Sequence, residues 1–248
     1  MMSEKEMVFG VQSVTEALKS GQNIEKIFLQ KEIASGQQFQ EIITLAHKSH
    51  VLFQRVPVQK INYYTKKNHQ GVLALLSSVT YLETSNVIQG LFEDGKTPLV
   101  LVLDRITDVR NFGAIARTAE CAGVDAIILP LRGGSQVTSD AMKTSSGALH
   151  YMQICREFNL PATVEYLKNC GLQIVACTEK TQNNIFNVDF TVPTALVLGS
   201  EEDGISQEIL NLADVKGAIP VLGNIESLNV SVSAGVALYE AVRQRGEL

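Results

Sequence analysis

Three segments rich in glycine and polar side chains each follow an apolar run of the sequence. They span residues 104–113, 199–204 and 219–230, and the run at 99–103 is typical of a strand buried on both faces. In open α/β sheets, ligands bind at the carboxyl ends of the strands. The three segments therefore predict a ligand-binding site at one edge of a sheet.

Several common catalytic motifs are absent from the sequence. No G-x-G-x-x-G follows an apolar run, so a dinucleotide site lacks its glycine fingerprint. There is no G-x-S-x-G nucleophile elbow. No His, Cys and carboxylate cluster has metal-ligand spacing, and we expect no metal.

Strand and helix patterns alternate along the chain. Residues 1–76 predict a small α/β unit, and the polar stretch 77–97 predicts a linker that contains a weak helix. In residues 98–248, apolar strands alternate with helices as far as a final helix from about residue 229 to 245. This alternation favours an α/β fold with a mostly parallel sheet covered on both faces.

Composition narrows the class of protein further. The chain has 248 residues, of which 45% are apolar and 19% charged, which excludes a disordered protein. No stretch of about 18 apolar residues exists, so no membrane span is expected. The start has no signal-peptide pattern, and the four cysteines form no C-x-x-C pair. We therefore expect a cytoplasmic protein with reduced thiols.

Charge is distributed unevenly along the chain. Residues 1–80 carry nine Lys and Arg against six Glu, a net charge of +3, whereas residues 81–248 carry twelve basic and twenty acidic residues, a net charge of −8. This asymmetry favours two tasks for the two parts, although two ordinary solvated surfaces would also produce it.

The three polar segments resemble the motifs of a known family. DRITDVRNFGAIARTAECAG, LVLGSEEDGIS and IPVLGNIESLNVSVSAGVALYEAVRQR are similar to the first, second and third motifs of the SpoU/TrmH-type RNA ribose 2′-O-methyltransferases, in that order. VFGVQSVTEAL and HQGVLAL resemble the substrate-binding domain of the branch that methylates a guanosine of 23S ribosomal RNA. The resemblance covers nearly the whole chain.

This resemblance implies a fold, a cofactor and partners. It implies a C-terminal sheet with a deep trefoil knot, a small N-terminal α/β substrate-binding domain (ribosomal protein L30e-like), and S-adenosylmethionine as methyl donor. It also implies RNA, most simply 23S ribosomal RNA, as substrate, and a homodimer formed through the final helix. A transfer RNA target and a non-catalytic, ribosome-associated RNA-binding module are the alternatives.

The resemblance also assigns roles to particular residues, each of which has a plainer structural reading. Arg117 becomes the main catalytic residue, although it could be a solvated helix charge; Asn111 orients or binds nearby, although it could be a helix cap. The remaining members of the catalytic shell are Glu201, Ser227 and Asn229. The residues implied to contact the cofactor are Gly199, Ile219 and Leu228, with Leu198 and Pro220 lining the pocket. The glycines Gly199 and Gly223 would permit close approach of a ligand.

RNA binding is expected at residues 63–70, where two tyrosines are followed by two lysines and a histidine. Aromatic rings can stack on unpaired bases and lysines neutralise phosphates. The alternative is a polar loop with two core tyrosines. The residues predicted to contact RNA are Tyr64, Lys66, Lys67 and His69.

Overall fold

The computed structural model describes residues 7–33, 36–225 and 227–246. The chain divides into two compact units, which are Met1–Thr80 (unit 1) and Tyr81–Leu248 (unit 2). Within the described ranges, no helix is long and apolar enough to cross a membrane.

Unit 1 is built on a small mixed sheet. Its sheet order is β1-β4-β2-β3, in which β4 is antiparallel to β1 and β2, and β3 is parallel to β2. Apolar residues at helical spacing in the first helix, Val14, Ala17 and Leu18, are buried against the sheet. In chain order the described elements are β1 (Met7–Phe9), α1 (Val11–Lys19), β2 (Ile24–Gln30), α2 (Gln37–Lys48), β3 (Leu52–Val56), α3 (Val58–Tyr64) and β4 (Val72–Leu76).

Unit 2 is built on a larger sheet whose paired strands run parallel. In chain order its elements are β5 (Tyr81–Leu82), α4 (Thr84–Glu93), β6 (Leu99–Asp104), α5 (Val109–Cys121), β7 (Ala126–Pro130), α6 (Ser139–Thr144), β8 (Gln153–Glu157), α7 (Leu160–Asn169), β9 (Gln173–Cys177), β10 (Thr194–Gly199), α8 (Gln207–Leu212), β11 (Val215–Gly217) and α9 (Val230–Arg245). Short 3₁₀ turns occur at Ala148–His150 and Ile185–Asn187.

The strand order of this sheet is β11-β9-β10-β6-β7-β8-β5. All of β6 is buried, as its continuous apolar run predicts for a central strand. The predicted α/β class and mostly parallel sheet are therefore confirmed. The order, in which β10 lies between β6 and β9, is consistent with the trefoil knot that the sequence resemblance implies.

The structure corrects the predicted linker over residues 77–97. Tyr81 and Leu82 pair in parallel with Ile154 and Cys155 of β8, so β5 belongs to the sheet of unit 2. Helix α4 buries Val87, Ile88 and Leu91 in the same apolar core as β6 and β7. The stretch predicted only a weak helix within a linker, because the one apolar face that contacts the core lies among polar residues.

Residues 90–97 read Gly-Leu-Phe-Glu-Asp-Gly-Lys-Thr, which matches the letters of a phosphate-binding P-loop. A functional P-loop joins the end of a strand to the start of a helix. Here the order is reversed, because these residues end α4 and lead into β6. The match therefore has no phosphate-binding context.

Candidate active site

The three predicted segments meet at one edge of the sheet of unit 2. Strands β9, β10 and β6 are parallel neighbours, so that their last residues, Cys177, Gly199 and Asp104, lie at the same edge. A cavity of about 390 Å³ opens there. The predicted site residues that line it are Leu198, Gly199, Glu201, Ile219, Ser227, Leu228 and Asn229.

Two of the positions predicted to line the cofactor pocket or approach the ligand closely, Pro220 and Gly223, lie outside the cavity lining. Pro220 is exposed and does not line the cavity, unlike its neighbour Ile219. Gly223 is also exposed, and a Cβ built on it meets no other atom within 4 Å. The structure therefore shows no contact that requires glycine at residue 223.

The segment that follows β9 also lines the cavity, and sequence reasoning missed it. It contributes Cys177, Thr178, Glu179 and Lys180. The polar triplet after an apolar strand was a usable signal, but its importance depends on β9 lying beside β10. Burial, with a smaller contribution from Glu179, raises the pKa of the Cys177 thiol to about 11. The thiol is therefore protonated at neutral pH and contributes an uncharged group to the cavity wall.

Asn229 is the most highly connected side chain of the site. Its amide Nδ2 donates to Glu201 Oε1 at 2.5 Å and to Asn111 Oδ1 at 3.2 Å. Its Oδ1 accepts from the backbone N–H of Ser231 at 3.0 Å and caps α9. Asn229 is thus both a helix cap and a bridge between the first and second motifs.

Asn111 is not the cap of α5. The cap is Asp108, whose Oδ1 accepts the backbone N–H groups of Arg110 at 2.7 Å and Asn111 at 3.3 Å. Hydrogen bonds from Arg110 hold the pKa of the Asp108 carboxyl below its usual value. Because Asp108 satisfies the helix start, the side chain of Asn111 is available to the site.

Glu201 is held at the start of α9. In addition to the hydrogen bond from Asn229 Nδ2, the Oε1 of Glu201 accepts one from the backbone N–H of Val230 at 3.4 Å. A carboxylate at a helix N-terminus is stabilised by the helix dipole. The structure therefore brings Asn111, Glu201 and Asn229 into one hydrogen-bonded group at the edge of the cavity.

The loop that carries Glu201 is fixed by the first motif. Asp104 is buried, and its Oδ2 accepts the backbone N–H of Ser206 at 2.6 Å. Arg105 donates to the carbonyl oxygen of Gly204 at 3.1 Å and to Asp203 Oδ2 at 3.3 Å. These bonds hold both ends of the 203–206 segment against β6.

Gly199 is required for the loop after β10 to adopt its conformation, apart from any contact with a ligand. A Cβ built on it would lie 2.1 Å from the carbonyl carbon of Gly204 and 2.2 Å from the nitrogen of Ile205. Real Cβ atoms do not approach backbone so closely, so the loop could not close over a larger residue. The reason for this glycine is therefore loop closure, in addition to its place in the cavity wall.

Arg117 does not join the hydrogen-bonded group. It is exposed on α5, and within the described residues its guanidinium has no hydrogen bond or ion pair. It follows Asn111 by six residues, which corresponds to about 9 Å along a helix axis. Its catalytic role stays a prediction.

In unit 1, the predicted RNA-binding residues have different surroundings. Lys66 and Lys67 are exposed, whereas Tyr64 is half-buried and stacks on Phe28 with ring centroids 5.5 Å apart. His69 is buried, since only 9% of its surface is exposed. The structure therefore leaves the two lysines accessible and gives the histidine a local role.

That local role of His69 follows from its hydrogen bonds. Its Nδ1 accepts the backbone N–H of Gly71 at 3.0 Å, so that Nε2 carries the proton towards Asn62 Oδ1 at 3.1 Å. Burial lowers the pKa of the imidazole. A neutral ring with both nitrogens engaged shapes the turn into β4, and its burial argues against the predicted RNA contact.

No metal-binding cluster is found in the described part of the chain, since no three His, Cys, Asp or Glu side chains are grouped to hold an ion.

Comparisons with known families cover both units. Residues 98–239 match the SpoU rRNA Methylase family, and residues 7–82 match the family of RNA 2′-O ribose methyltransferase substrate-binding domains. A Bacillus subtilis (strain 168) protein named as a TrmH family tRNA/rRNA methyltransferase, YacO, is 33% identical over 245 residues, which is 99% of this chain and 98% of that protein. A Staphylococcus saprophyticus protein named as a TrmH family tRNA/rRNA methyltransferase is 35% identical and covers 98% of this chain and 97% of its own.

Solved structures show the same fold. The SpoU methyltransferase AviRb from Streptomyces viridochromogenes, in complex with AdoMet, has a TM-score of 0.60 at 22% identity and covers 96% of this chain and 89% of its own. The A. aeolicus TrmH/SpoU tRNA modifying enzyme has a TM-score of 0.55 at 34% identity and covers 66% of this chain and 84% of its own. From these matches and the three converging motifs, we conclude that the chain belongs to the SpoU/TrmH family of RNA methyltransferases.

Proposed function

We propose that this protein transfers a methyl group from S-adenosylmethionine to a ribose 2′-hydroxyl of RNA, with a guanosine of 23S ribosomal RNA as its target. The observation that carries this proposal is the hydrogen-bonded group of Asn111, Glu201 and Asn229 at the edge of the cavity. It places polar groups for a hydroxyl substrate beside a pocket suited to a small molecule.

The cavity suits the proposed methyl donor in size and chemistry. Small-molecule sites typically enclose about 300–1,000 Å³ and combine apolar walls with a few polar groups, and this cavity measures about 390 Å³. Leu198, Ile219 and Leu228 offer apolar surface for an adenine ring and a methionine stem. Glu179 and Glu201 bring negative charge near a sulfonium, and the bound cofactor would supply an electrophilic methyl group.

Asn111 is the best-placed group of this chain to contact the 2′-oxygen. The Oδ1 of Asn111 accepts a hydrogen bond from Asn229, so the Nδ2 of Asn111 points away from that bond. Among the described residues, this Nδ2 has no hydrogen-bond partner. A ribose hydroxyl is a poor nucleophile until negative charge on its oxygen is stabilised. An amide N–H donated to that oxygen provides part of this stabilisation.

Arg117 would provide the rest by charge rather than by accepting the proton. A guanidinium hardly deprotonates in proteins, so we assign it electrostatic stabilisation of the alkoxide. Because Arg117 is exposed and apart from the hydrogen-bonded group, we infer that it reaches the reacting oxygen of a second subunit.

A homodimer is supported by exposed apolar side chains near the site. Leu222 is 100% exposed and Ile225 is 75% exposed, on the loop that leads to α9. On α9 itself, Val232 and Tyr239 are 50% and 46% exposed, and they lie two turns apart on the same side of the helix. Exposed apolar patches of this kind mark interaction surfaces.

The ribosomal target is favoured over transfer RNA by unit 1. The matched A. aeolicus tRNA modifying enzyme covers 66% of this chain, close to the share that residues 81–248 make up. Unit 1 has a net charge of +3, which suits a phosphate-rich ligand. The names of the curated relatives include both tRNA and rRNA, so transfer RNA is the second candidate. With either RNA, we propose a cytoplasmic location.

Mapping of 2′-O-methyl groups in RNA from a deletion strain tests the target. We expect one 23S position to lose its methyl group, and expect the wild-type gene but not an Asn111→Ala variant to restore it. Loss confined to a transfer RNA would replace the ribosomal assignment, and an unchanged methylation map in both RNAs would refute the proposed function.

A further inference from the structure

We propose that Lys26 and Lys60 form a phosphate-binding pair in unit 1, and that Tyr63 beside them is a stacking surface for an RNA base. This inference deepens the proposed function, because it assumes an RNA ligand and identifies the surface that holds it. It moves the main RNA contact from the predicted loop at residues 66–69 to one face of the small sheet.

The two faces of this sheet are covered unequally. On one face, α1 and α2 enclose a core that includes Phe39 and Ile42. On the other face, α3 contributes Ile61 to a smaller core with Phe28 and Leu73. The second face is therefore covered by one short helix, α3, and aromatic and basic side chains lie at its edge where the other face has a second helix.

Four ring contacts define that edge. Phe28 and Tyr64 are stacked, with centroids 5.5 Å apart and ring planes at 22°. Lys26 Nζ lies 5.5 Å from the centroid of Phe28, and Lys60 Nζ lies 5.7 Å from the centroid of Tyr64. Tyr63 packs edge-on against Tyr64 at 5.5 Å. The two ammonium groups are thus gathered on a single aromatic stack.

The two lysines of this pair form no ion pairs within the part of the chain that the structure describes. Among the described residues, neither Lys26 nor Lys60 has an ion-pair partner. Burial, and then repulsion from Lys60, lower the pKa of Lys26, and only the nearby charge of Glu25 opposes this. Two lysines that repel each other and have no ion-pair partner among the described residues are stabilised when a phosphate binds between them.

Tyr63 supplies the group that would distinguish RNA from a simple polyanion. It is 78% exposed although it is a large aromatic residue, and its ring packs edge-on against that of Tyr64. Single-stranded nucleic acids bind to surfaces that combine positive charge with aromatic rings on which bases stack. An exposed ring beside two unpaired lysines has this composition.

The plainer interpretation is that the lysine stems merely cover aromatic surface while their charges remain in water. Substitution by methionine separates the two interpretations, because methionine keeps an apolar stem and removes the charge. The matched control is Lys19→Met with Lys48→Met, since both lie on the helices of the opposite face and the net charge changes equally.

The experiment measures binding of the full-length protein to a short single-stranded oligoadenylate and to a linear polyphosphate of similar charge, at several salt concentrations. For Lys26→Met with Lys60→Met, we expect at least tenfold weaker binding of both ligands. The slope of log K against log salt for the RNA should become about 1.4 less steep, since each phosphate contact contributes about 0.7. Thermal unfolding verifies that each variant is folded.

For Tyr63→Ala, we expect binding of the oligoadenylate to weaken about fivefold or more, the loss of one stacked base, while polyphosphate binding is unchanged. The proposal is overturned if the Lys19 and Lys48 control weakens binding as much as the Lys26 and Lys60 pair, if the pair has no effect, or if the wild-type protein binds neither ligand.

These outcomes are distinct from the failure of the proposed function. If the protein methylates RNA but the Lys26 and Lys60 variant binds normally, the surface is wrong and the activity stands. If RNA binding depends on this pair but no methyl transfer is detected, the surface stands and the activity is wrong.

Discussion

Asn229 is expected to matter far more for catalysis than a helix cap would. Its Nδ2 joins Glu201 and Asn111 across two motifs, while its Oδ1 caps α9. The substitution Asn229→Ala removes all of these bonds. Asn159→Ala is the matched control, because Asn159 caps α7 in the same way, accepting the N–H of Ala162 at 3.2 Å, and belongs to no hydrogen bond of the site.

The size of the two effects follows from these contacts. Loss of a cap costs about 0.5–2 kcal/mol of stability. If the free energy of unfolding is at the lower end of about 5–15 kcal/mol, roughly 99% of the protein still folds after the loss of a cap. Unfolding therefore explains almost no loss of activity in either variant. Misplacement of Asn111 and Glu201 by about 1 Å, in contrast, costs on the order of 10²-fold in rate.

Single-turnover methyl transfer and thermal unfolding are measured for both variants. Asn159→Ala should lose stability and keep its rate, whereas Asn229→Ala should lose a similar amount of stability and about two orders of magnitude in rate. If the rate of Asn229→Ala falls only in proportion to its folded fraction, the residue is a cap alone and the reasoning about the site is refuted.

Three further outcomes are expected. Arg117→Ala should lower methyl transfer by about 10²–10³-fold while S-adenosylmethionine affinity stays within a few-fold. If Arg117 acts across a two-fold dimer, a mixture of the Arg117→Ala and Asn229→Ala variants should recover about a quarter of the wild-type activity, whereas no recovery would place Arg117 in its own subunit's site. Gly199→Ala should destabilise the protein by about 1–3 kcal/mol because its Cβ would meet the backbone of Gly204 at 2.1 Å, whereas Gly223→Ala should leave the melting temperature unchanged. Removal of residues 1–80 should leave a folded dimer that binds S-adenosylmethionine but binds RNA weakly and with a shallower salt dependence, and substitution of Lys66 and Lys67 together should reproduce part of that loss. If the RNA affinity and its salt dependence are both unchanged, unit 2 binds RNA unaided.

The site could largely be predicted because parallel strands end at a common edge. Asn111, Glu201 and Asn229 lie far apart in the sequence, yet each follows a strand or begins a helix at that edge. The segment after β9 was missed because strand order depends on long-range pairing that local patterns do not encode. The cap at Asp108 was visible in the sequence, but only Asn111, three residues later, was considered as a possible cap, as the alternative to its role in the site.

Helix α4 and the burial of His69 show a second limit. The apolar positions Val87, Ile88 and Leu91 have helical spacing, but the polar residues around them predicted a weak helix in a linker rather than a helix packed on the core. His69 is polar and lies in a loop, and only the turn that engages both of its nitrogens removes it from the surface. In both cases the decisive contacts are tertiary.

Methyl transfer in a purified system tests the central claim most directly. The protein is incubated with methyl-labelled S-adenosylmethionine and RNA from a strain that lacks it, and the RNA is then hydrolysed in alkali. Because a methyl group on the 2′-oxygen blocks attack on the neighbouring phosphodiester, the label should appear in alkali-resistant dinucleotides, and the Asn229→Ala variant should transfer little of it. Label in mononucleotides, which indicates methylation of a base, or no transfer at all, would contradict the proposed ribose 2′-O-methylation.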